Sequence, residues 1–591
     1  MVVHRDVAGK TEDVTPPPFN ARSRVHEYGG ASYTVSDGVI YFTHFDDHRL
    51  YRLRPGQHAE AITPNADLRY ADAVVDRRRQ CLYCVREDHT QPGEPTNTVV
   101  QVFVDRENPG RIVAAGHDFY SSPRLSPDGR HLCWLAWNHP NMPWDGCELW
   151  LADLDDEGMP RNARPIAGGD NESIFQPEWS PDGQLYFVSD RSGWWNLYRY
   201  DAPNAEALCP VEAEFGRPQW VLGIPTYAFA GARIVCSYTQ KGFWHLALLD
   251  PDTKKLDRID TGYTDIHSVR ANDRFACFIA SSPTESAAVV RLDLSTRRPE
   301  VLRRSSATVI DPAYLSHAQP IEFPTEKGLT AHAFYYPPKN RDYVGPPNEK
   351  PPLLVRSHGG PTSATSSGLK ADIQFWTSRG IAVLDVNYGG STGYGREYRQ
   401  RLDGAWGIVD VDDCVHGARF LIERGDVDPE RIAIRGGSAG GYTTLAALAF
   451  RRFFKAGASY YGVSDLEALA KDTHKFESRY LDRLIGPYPA AVDLYRQRSP
   501  IHFADRLSCP VILFQGLQDK VVPPNQAEIM VDALKAKRLP VAYVAFAGEQ
   551  HGFRRAENIK RAFENELYFY GRIFGFEPAD SLTPVAIENL P

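Results

Sequence analysis

Two hydrophobic patterns divide the chain. From about Ser32 to about Arg304, short apolar runs alternate with polar turns, and no stretch has the spacing of a long amphipathic helix. Beyond Pro320, apolar runs bounded by glycine alternate with stretches that place apolar residues at helical spacing. The first pattern predicts an all-β region. The second predicts a mostly parallel sheet covered by helices on both faces, which is α/β-hydrolase organisation.

The β region repeats one unit six times. Each unit holds an apolar strand, a polar turn and a second strand that ends in Asp or near Pro and Gly. The units begin near Val39, Cys81, His131, Gln184, Arg233 and Phe275. Spacings of about 40 to 50 residues are the period of propeller blades, and SPDG turns at Ser126–Gly129 and Ser180–Gly183 punctuate two units. We predict a β-propeller of six visible blades with room for a seventh; a β-sandwich array fits the even spacing less well.

These patterns predict three parts. Residues 1–30 form an N-terminal extension that could pack on the hydrolase domain, residues 31–318 form the propeller, and residues 319–591 form the α/β-hydrolase domain. A chain of 591 residues is too long for one hydrophobic core, so two domains are expected on length alone.

Composition narrows the classes of protein. The hydrophobic share of 42% and the charged share of 24% are ordinary for globular proteins. A net charge of −9 with interspersed signs gives no reason to expect a nucleic-acid or membrane partner. The first twenty residues hold no apolar stretch typical of a signal peptide, so we expect a cytoplasmic protein. Nine scattered cysteines predict reduced thiols, and the lone pair Cys81 and Cys84 lacks the partners of a zinc site, so no metal is expected.

The candidate chemistry begins in RIAIRGGSAGGYTTLAALAF, residues Arg431 to Phe450. A short buried strand, Ile432 to Ile434, is followed by G-x-S-x-G and then by an apolar helix from Tyr442. This order is the strand-to-helix turn that exposes a nucleophilic serine in α/β-hydrolases. A phosphate-binding loop is the weaker alternative, because no lysine follows the glycines. The pattern predicts Ser438 as the nucleophile.

A serine needs a base to take its proton and an acid to orient that base. In this fold they follow in the order Ser, Asp or Glu, His, each after a strand. Asp519 follows the strand Val511–Phe514, and His551 follows the strand Val541–Phe546. His474 and His502 precede the acid and break this order. We therefore predict a triad of Ser438, Asp519 and His551, which requires no cofactor.

The tetrahedral intermediate also needs hydrogen-bond donors for its oxyanion. One is expected from the backbone N–H after the nucleophile, that of Ala439. The second should come from the glycine-rich loop SHGGPTS, where we favour the N–H of Gly360. His358 in the same loop either contacts substrate or braces the loop.

With these residues in place, the chain resembles the prolyl oligopeptidase family of serine peptidases, in particular its acylaminoacyl peptidase and bacterial dipeptidyl/aminoacyl-peptidase branch. The resemblance rests on HGGP (358–361), NYGGSTGYGREY (387–398), GGSAGGY (436–442), GLQDKVVP (516–523), EQHGF (549–553) and, in the propeller, HPNMPWDGCELW. It covers nearly the whole chain. It implies a peptidase for short peptides, because the propeller covers the active site, and a specificity pocket that draws on Val463, Leu466, Phe476 and Tyr480. All four could equally be core residues.

Two departures limit what the resemblance carries over. Dipeptidyl peptidases of the family have a tyrosine where His358 stands, and they bind a free amino terminus with paired propeller glutamates. No Glu-Glu pair occurs in the propeller half of this chain. The sequence therefore leaves open whether the substrate's amino end is free or acylated.

Two other functions compete with the peptidase. A triad esterase, lactonase or acyltransferase acting on a small acyl substrate would use the same residues, since fold and triad do not choose the substrate. A non-catalytic interaction protein is disfavoured by the complete set of catalytic groups. The sequence also leaves open a homo-oligomer, because an exposed sheet edge could support dimers.

Overall fold

The computed structural model describes residues 1–6 and 8–590. The chain begins with a two-stranded hairpin, β1 (Val3–Arg5) and β2 (Thr11–Asp13). Six four-stranded antiparallel sheets follow, each built from four consecutive strands. An eight-stranded, mostly parallel sheet with flanking helices completes the fold. The predicted fold class, a propeller joined to an α/β-hydrolase domain, is confirmed, and the described residues form six blades.

The blade strands run in chain order from the axis outwards. They are β3 (Tyr33–Ser36), β4 (Val39–Thr43), β5 (Leu50–Leu53), β6 (Glu60–Ala61); β7 (Leu68–Asp76), β8 (Cys81–Asp88), β9 (Thr96–Phe103), β10 (Arg111–Ala114); β11 (Phe119–Leu125), β12 (His131–Trp137), β13 (Cys147–Leu154), β14 (Pro160–Gly169); β15 (Ile174–Trp179), β16 (Leu185–Ser189), β17 (Asn196–Asp201), β18 (Asn204–Ala207); β19 (Tyr227–Ala230), β20 (Arg233–Gln240), β21 (Phe243–Asp250), β22 (Lys255–Ile259); β23 (Asp265–Ala271), β24 (Phe275–Ser281), β25 (Ala288–Asp293) and β26 (Arg298–Arg304).

The repeating units of the sequence correspond to the second and third strands of each blade. These two strands pack between neighbouring blades and are strongly apolar, as in β12 and β13. First strands of neighbouring blades contact each other, as β3 with β7, β7 with β11, β11 with β15 and β19 with β23. They mix polar and apolar residues, for example in Phe119–Leu125, so their sequence signal is weak. The two SPDG turns join a first strand to a second strand, as β11 to β12 and β15 to β16.

The hydrolase sheet has the order β27-β28-β30-β29-β31-β32-β33-β34. Its strands are β27 (Gln319–Pro324), β28 (Thr330–Tyr336), β29 (Leu353–Ser357), β30 (Ala382–Asn387), β31 (Ile432–Gly437), β32 (Ala456–Tyr460), β33 (Val511–Gly516) and β34 (Val541–Phe546). The strands from β30 to β34 pair in parallel, so their carboxyl ends share one edge of the sheet. Ligand sites of open α/β sheets lie at that edge.

Helices cover both faces of this sheet. They are α1 (Ala371–Thr377), α2 (Arg396–Gln400), α3 (Val409–Glu423), α4 (Ala439–Phe450), α5 (Leu466–Asp472), α6 (Tyr480–Leu484), α7 (Val492–Arg498), α8 (Pro524–Ala536) and α9 (Ala556–Phe574), with 3-10 turns at Pro312–Tyr314, Glu326–Gly328, Lys475–Glu477 and Pro500–Arg506. The pattern predicts that helix α4 begins at Tyr442. In the structure it begins at Ala439, so that Gly440 and Gly441 lie in its first turn. None of the helices in the described ranges is long and apolar enough to cross a membrane.

The two domains are held together by buried charge. Asp190 of the propeller accepts hydrogen bonds from Arg396 and from Arg399 of α2, each at 2.5 Å. Its side chain is fully buried, and Arg399 is 5% exposed. The N-terminal segment touches both domains: Arg5 donates to the backbone oxygen of Leu302, and the hydroxyl of Tyr28 donates to Glu477 of the hydrolase domain.

Candidate active site

Ser438 lies at the turn between β31 and α4. Its backbone has φ 58° and ψ −122°, a conformation that L-residues rarely adopt. The Ser438 N–H donates to the carbonyl of Tyr460 on the neighbouring strand, at 3.0 Å. A single strained residue held by the surrounding structure is typical of functional turns. The strain turns the side chain out of the sheet edge.

The glycines around Ser438 are required by close packing. A Cβ at Gly436 would lie 2.2 Å from the carbonyl oxygen of Gly440. A Cβ at Gly440 would lie 2.2 Å from the carbonyl oxygen of Ser357 at the end of β29. Both contacts are with backbone, which cannot move aside cheaply. Only glycine lets the strand, the turn and the helix approach this closely.

The structure brings the three predicted catalytic side chains into one hydrogen-bonded row. His551 Nε2 lies 2.9 Å from Ser438 Oγ, and His551 Nδ1 lies 2.8 Å from Asp519 Oδ2. Asp519 is oriented by its other oxygen, which accepts the N–H groups of Val521 and Val522, both at 2.9 Å. Because a carboxylate only accepts, Nδ1 carries the proton and Nε2 is free to take one from the serine.

The two residues predicted to supply the oxyanion donors belong to one cavity. Gly360 and Ala439 both line the cavity that contains Ser438. Ala439 is the first residue of α4, where backbone N–H groups have no partner within the helix. Within the described part of the chain, neither N–H donates a hydrogen bond to another protein group. Both donors are therefore available to a ligand oxygen.

His358 braces the glycine-rich loop. Its Nδ1 lies 2.9 Å from the carbonyl oxygen of Gly359 and therefore donates, while Nε2 lies 2.7 Å from Ser391 Oγ and accepts. The ring stacks on Tyr388, with 4.3 Å between ring centres. Burial lowers the pKa of His358 to about 4, so the ring is neutral. Both nitrogens are used inside the protein, although the residue lines the cavity.

The four predicted pocket residues divide into two pairs. Val463 and Tyr480 line the cavity around Ser438, which has a volume of about 680 Å³. The Tyr480 hydroxyl lies 2.6 Å from Thr362 Oγ1 and accepts the Thr362 N–H. Leu466 is fully buried at the start of α5, and Phe476 is 2% exposed and packs behind the cavity wall. Leu466 and Phe476 are therefore core residues next to the cavity wall and are not among the residues that line the cavity.

Three cavity residues carry no sequence motif. Tyr28 comes from the N-terminal extension, Trp220 from the propeller, and Glu477 from the 3-10 turn of the hydrolase domain. Trp220 Nε1 donates to the backbone oxygen of Thr362 at 2.8 Å, which ties the propeller to the loop that carries Gly360. Trp220 is half-buried in the segment between β18 and β19, which carries no recognisable motif.

Comparison with known proteins gives the same family assignment for the hydrolase domain. The sequence profile of the prolyl oligopeptidase family matches residues 367–577. Dipeptidyl aminopeptidase BIII of Pseudoxanthomonas mexicana is 30% identical over 318 residues, which are 52% of this chain and 46% of that protein. The alignment therefore spans less than half of the length of that curated relative.

Solved structures match more completely. A puromycin hydrolase is 40% identical with a TM-score of 0.93, and a puromycin-hydrolyzing peptidase of Mycobacterium tuberculosis is 42% identical with a TM-score of 0.94. Each match covers 99% of this chain and 92% of the other. Because each match covers 99% of this chain, the similarity includes the propeller as well as the hydrolase domain.

Proposed function

The chain belongs to the prolyl oligopeptidase family of serine peptidases, and from this premise we propose that it hydrolyses short peptides and aminoacyl amides through an acyl-enzyme on Ser438. The observation that carries the proposal is the row of hydrogen bonds from Ser438 through His551 to Asp519, at 2.9 and 2.8 Å. The row lies in a cavity whose lining comes from both domains.

The reaction follows from the positions of these groups. Ser438 Oγ attacks the carbonyl carbon of the scissile amide while His551 Nε2 takes the hydroxyl proton. The N–H groups of Gly360 and Ala439 donate to the oxygen that becomes negative. His551 then gives its proton to the leaving nitrogen, and the carbon–nitrogen bond breaks. Water attacks the acyl-enzyme, His551 takes a proton from it, and Ser438 is regenerated as the acid product leaves.

The arrangement of the domains supports a limit on substrate size. Tyr28 and Trp220 reach the catalytic cavity from outside the hydrolase domain, and buried ion pairs at Asp190 hold the propeller against that domain. A long or folded chain has no room in a cavity of about 680 Å³. We propose that the propeller excludes such substrates, and that short peptides enter the space between the domains.

The names of the relatives suggest which amides to test. One relative is named a dipeptidyl aminopeptidase and another a puromycin hydrolase. We therefore propose amides of amino-terminal residues as substrates, with puromycin itself as a probe. The alternative is a hydrolase that acts on esters alone, and the experiment has to distinguish it from a peptidase.

The test is a panel of chromogenic substrates with one acyl residue throughout. It holds alanyl 4-nitroanilide, its N-acetyl derivative, a dipeptidyl 4-nitroanilide and alanine 4-nitrophenyl ester, and puromycin is followed separately. Ser438→Ala is the control, and labelling with a fluorophosphonate counts active serines. Anilide hydrolysis that disappears in Ser438→Ala is the expected result. Turnover of the ester alone, with every amide intact, would contradict the peptidase proposal.

A further inference from the structure

Two carboxylates, Asp372 and Glu477, line the cavity that contains Ser438, and Asp372 is paired with Arg356 at 2.8 Å. Glu477 ends the 3-10 turn Lys475–Glu477 and belongs to the cavity lining together with Ser438. The Glu477 side chain is 14% exposed, and it contributes to the lining of the cavity. The hydroxyl of Tyr28 donates to Glu477 Oε1 at 2.5 Å. The second carboxylate oxygen is left without a hydrogen-bond donor from the described residues.

No lysine or arginine neutralises this carboxylate in the described ranges 1–6 and 8–590. The nearest basic atom is His474 Nε2, at 4.0 Å from Glu477 Oε2. Lys475 points away and donates to the backbone oxygens of Pro95 and Asp118. Arg479 pairs with Asp482 at 2.8 Å. A carboxylate that is mostly removed from water and has no lysine or arginine partner is stabilised when a ligand supplies a positive charge.

Aromatic rings surround the same end of the cavity. The ring of Trp220 lies 5.3 Å from that of Tyr28 and 5.6 Å from that of Tyr480. Behind it, Trp144 lies 4.5 Å away and Phe476 lies 6.1 Å away, centre to centre. Aromatic faces favour a nearby cation, and together they close the wall around Glu477. The space suits a small positive group attached to a short acyl unit.

We propose that Glu477 binds the free α-ammonium of the substrate, and that this contact makes the protein an aminopeptidase that releases one residue at a time. Tyr28 is a positioning residue, since its hydroxyl fixes one oxygen of Glu477 and leaves the other for the ligand. Burial keeps the pKa of Tyr28 well above its usual value, with the Glu477 charge acting in the same direction, so the hydroxyl stays protonated and donates. The inference rests on acylation of Ser438, the function proposed above.

The same contact explains how other amino ends are rejected. An N-acyl group brings no positive charge and would leave the Glu477 carboxylate buried beside an apolar group. Tyr28 and Trp220 line the cavity together with Glu477, and their rings reduce the space for a longer dipeptidyl unit. The paired propeller glutamates of dipeptidyl peptidases are replaced here by one acid of the hydrolase domain and one hydroxyl of the N-terminal extension.

The experiment compares three alanine-type 4-nitroanilides that differ only at the α-carbon: free amino, N-acetylamino and hydrogen. Wild-type protein should prefer the free amine. In Glu477→Gln, which keeps the shape and removes the charge, kcat/KM for the free amine should fall roughly 30- to 1000-fold, the usual effect of deleting one partner of a desolvated charge pair. The fall should be mainly in KM. Hydrolysis of the compound without the amino group should change about 3-fold or less, because it never makes the contact.

Control variants separate specificity from folding. Glu528→Gln changes an exposed glutamate of α8 and should behave as wild type. Fluorophosphonate labelling of Ser438 should be equal in wild type, Glu477→Gln and Glu528→Gln, which shows that the triad is intact. Tyr28→Phe keeps the ring and should give a smaller loss, again selective for the free amine. A dipeptidyl anilide should release nitroaniline only after a lag, since the first residue must leave first.

The outcomes distinguish this inference from the function it rests on. Equal losses for all three substrates in Glu477→Gln, or equal wild-type rates for free and acetylated amines, would overturn the ammonium site while Ser438-dependent hydrolysis persisted. Amide turnover that survives Ser438→Ala would instead overturn the proposed function itself.

Discussion

The floor and the facing wall of the catalytic cavity are built in different ways. The floor comes entirely from the hydrolase domain: Ser438, Asp519 and His551 follow the parallel strands β31, β33 and β34 and are joined by hydrogen bonds of 2.9 and 2.8 Å. The wall takes Tyr28 from the N-terminal extension and Trp220 from the propeller, and it is complete only when the domains are docked.

This difference separates chemistry from selection. The three side chains proposed to break the amide are held by one sheet and its loops. The groups that would choose the substrate are held by contacts between domains, above all by Asp190 with Arg396 and Arg399. Changes in the floor should therefore alter kcat, and changes at the domain contact should alter substrate binding. Four predictions test this comparison, in order of decreasing effect.

Loss of the nucleophile should have the largest effect and should leave the wall unchanged. We expect Ser438→Ala to lower kcat by roughly 10⁶-fold, as removal of a triad serine does in other hydrolases. Substrate binding, measured by fluorescence quenching or calorimetry, should stay within about 3-fold of wild type. Weak binding in this variant would show that floor and wall are not independent.

Replacement of the triad acid should affect only the floor. In Asp519→Asn the amide can donate to Nδ1 and so favours the wrong histidine tautomer, and kcat should fall by roughly 10⁴-fold with KM nearly unchanged. Steady-state kinetics on the free-amine anilide measures both constants. Asp505→Asn, an exposed position before β33, serves as the matched control. A large rise in KM instead would place Asp519 in substrate binding.

Loss of the buried interdomain acid should affect the wall. Asp190→Asn leaves two guanidinium groups buried beside a neutral side chain, which should cost about 3–5 kcal/mol of stability. We expect a raised KM for short substrates, while fluorophosphonate labelling of Ser438 proceeds at the wild-type rate. Asp201→Asn, an exposed position in the same blade, is the control. Slow labelling would contradict the independence of the floor.

Titration of a buried histidine should give the smallest effect. His26 stacks on Phe476, 5.3 Å between ring centres, and burial lowers its pKa from 6.5 to about 4. Between these two values the unfolded chain binds the proton and the folded chain does not, so stability is lost as the pH falls. The loss is at most on the order of 3 kcal/mol. In His26→Phe the melting temperature should fall less steeply between pH 6.5 and 4, and His58→Gln, an exposed site, should follow wild type.

Much of the fold could be predicted from the sequence because its strongest signals are local. The two central strands of each blade are apolar runs of regular spacing, and the buried parallel strands of the hydrolase domain are bounded by glycine. The first strands of the blades, such as Ile174–Trp179, were missed because they line the axis and mix polar with apolar residues. Strands β27 and β28 were missed because the antiparallel edge of the sheet has no motif.

The sequence by itself predicted the residues of the floor: G-x-S-x-G after a short apolar strand indicates Ser438, and Asp519 and His551 follow later strands in the chain order of this fold. Only the tertiary structure decided the facing wall. Tyr28, Trp220 and Glu477 lie far apart in the sequence, and only Glu477 has a neighbour, Phe476, that the sequence predicts for the pocket. They meet because the propeller docks on the hydrolase domain, a packing of surfaces that no periodicity along the chain encodes.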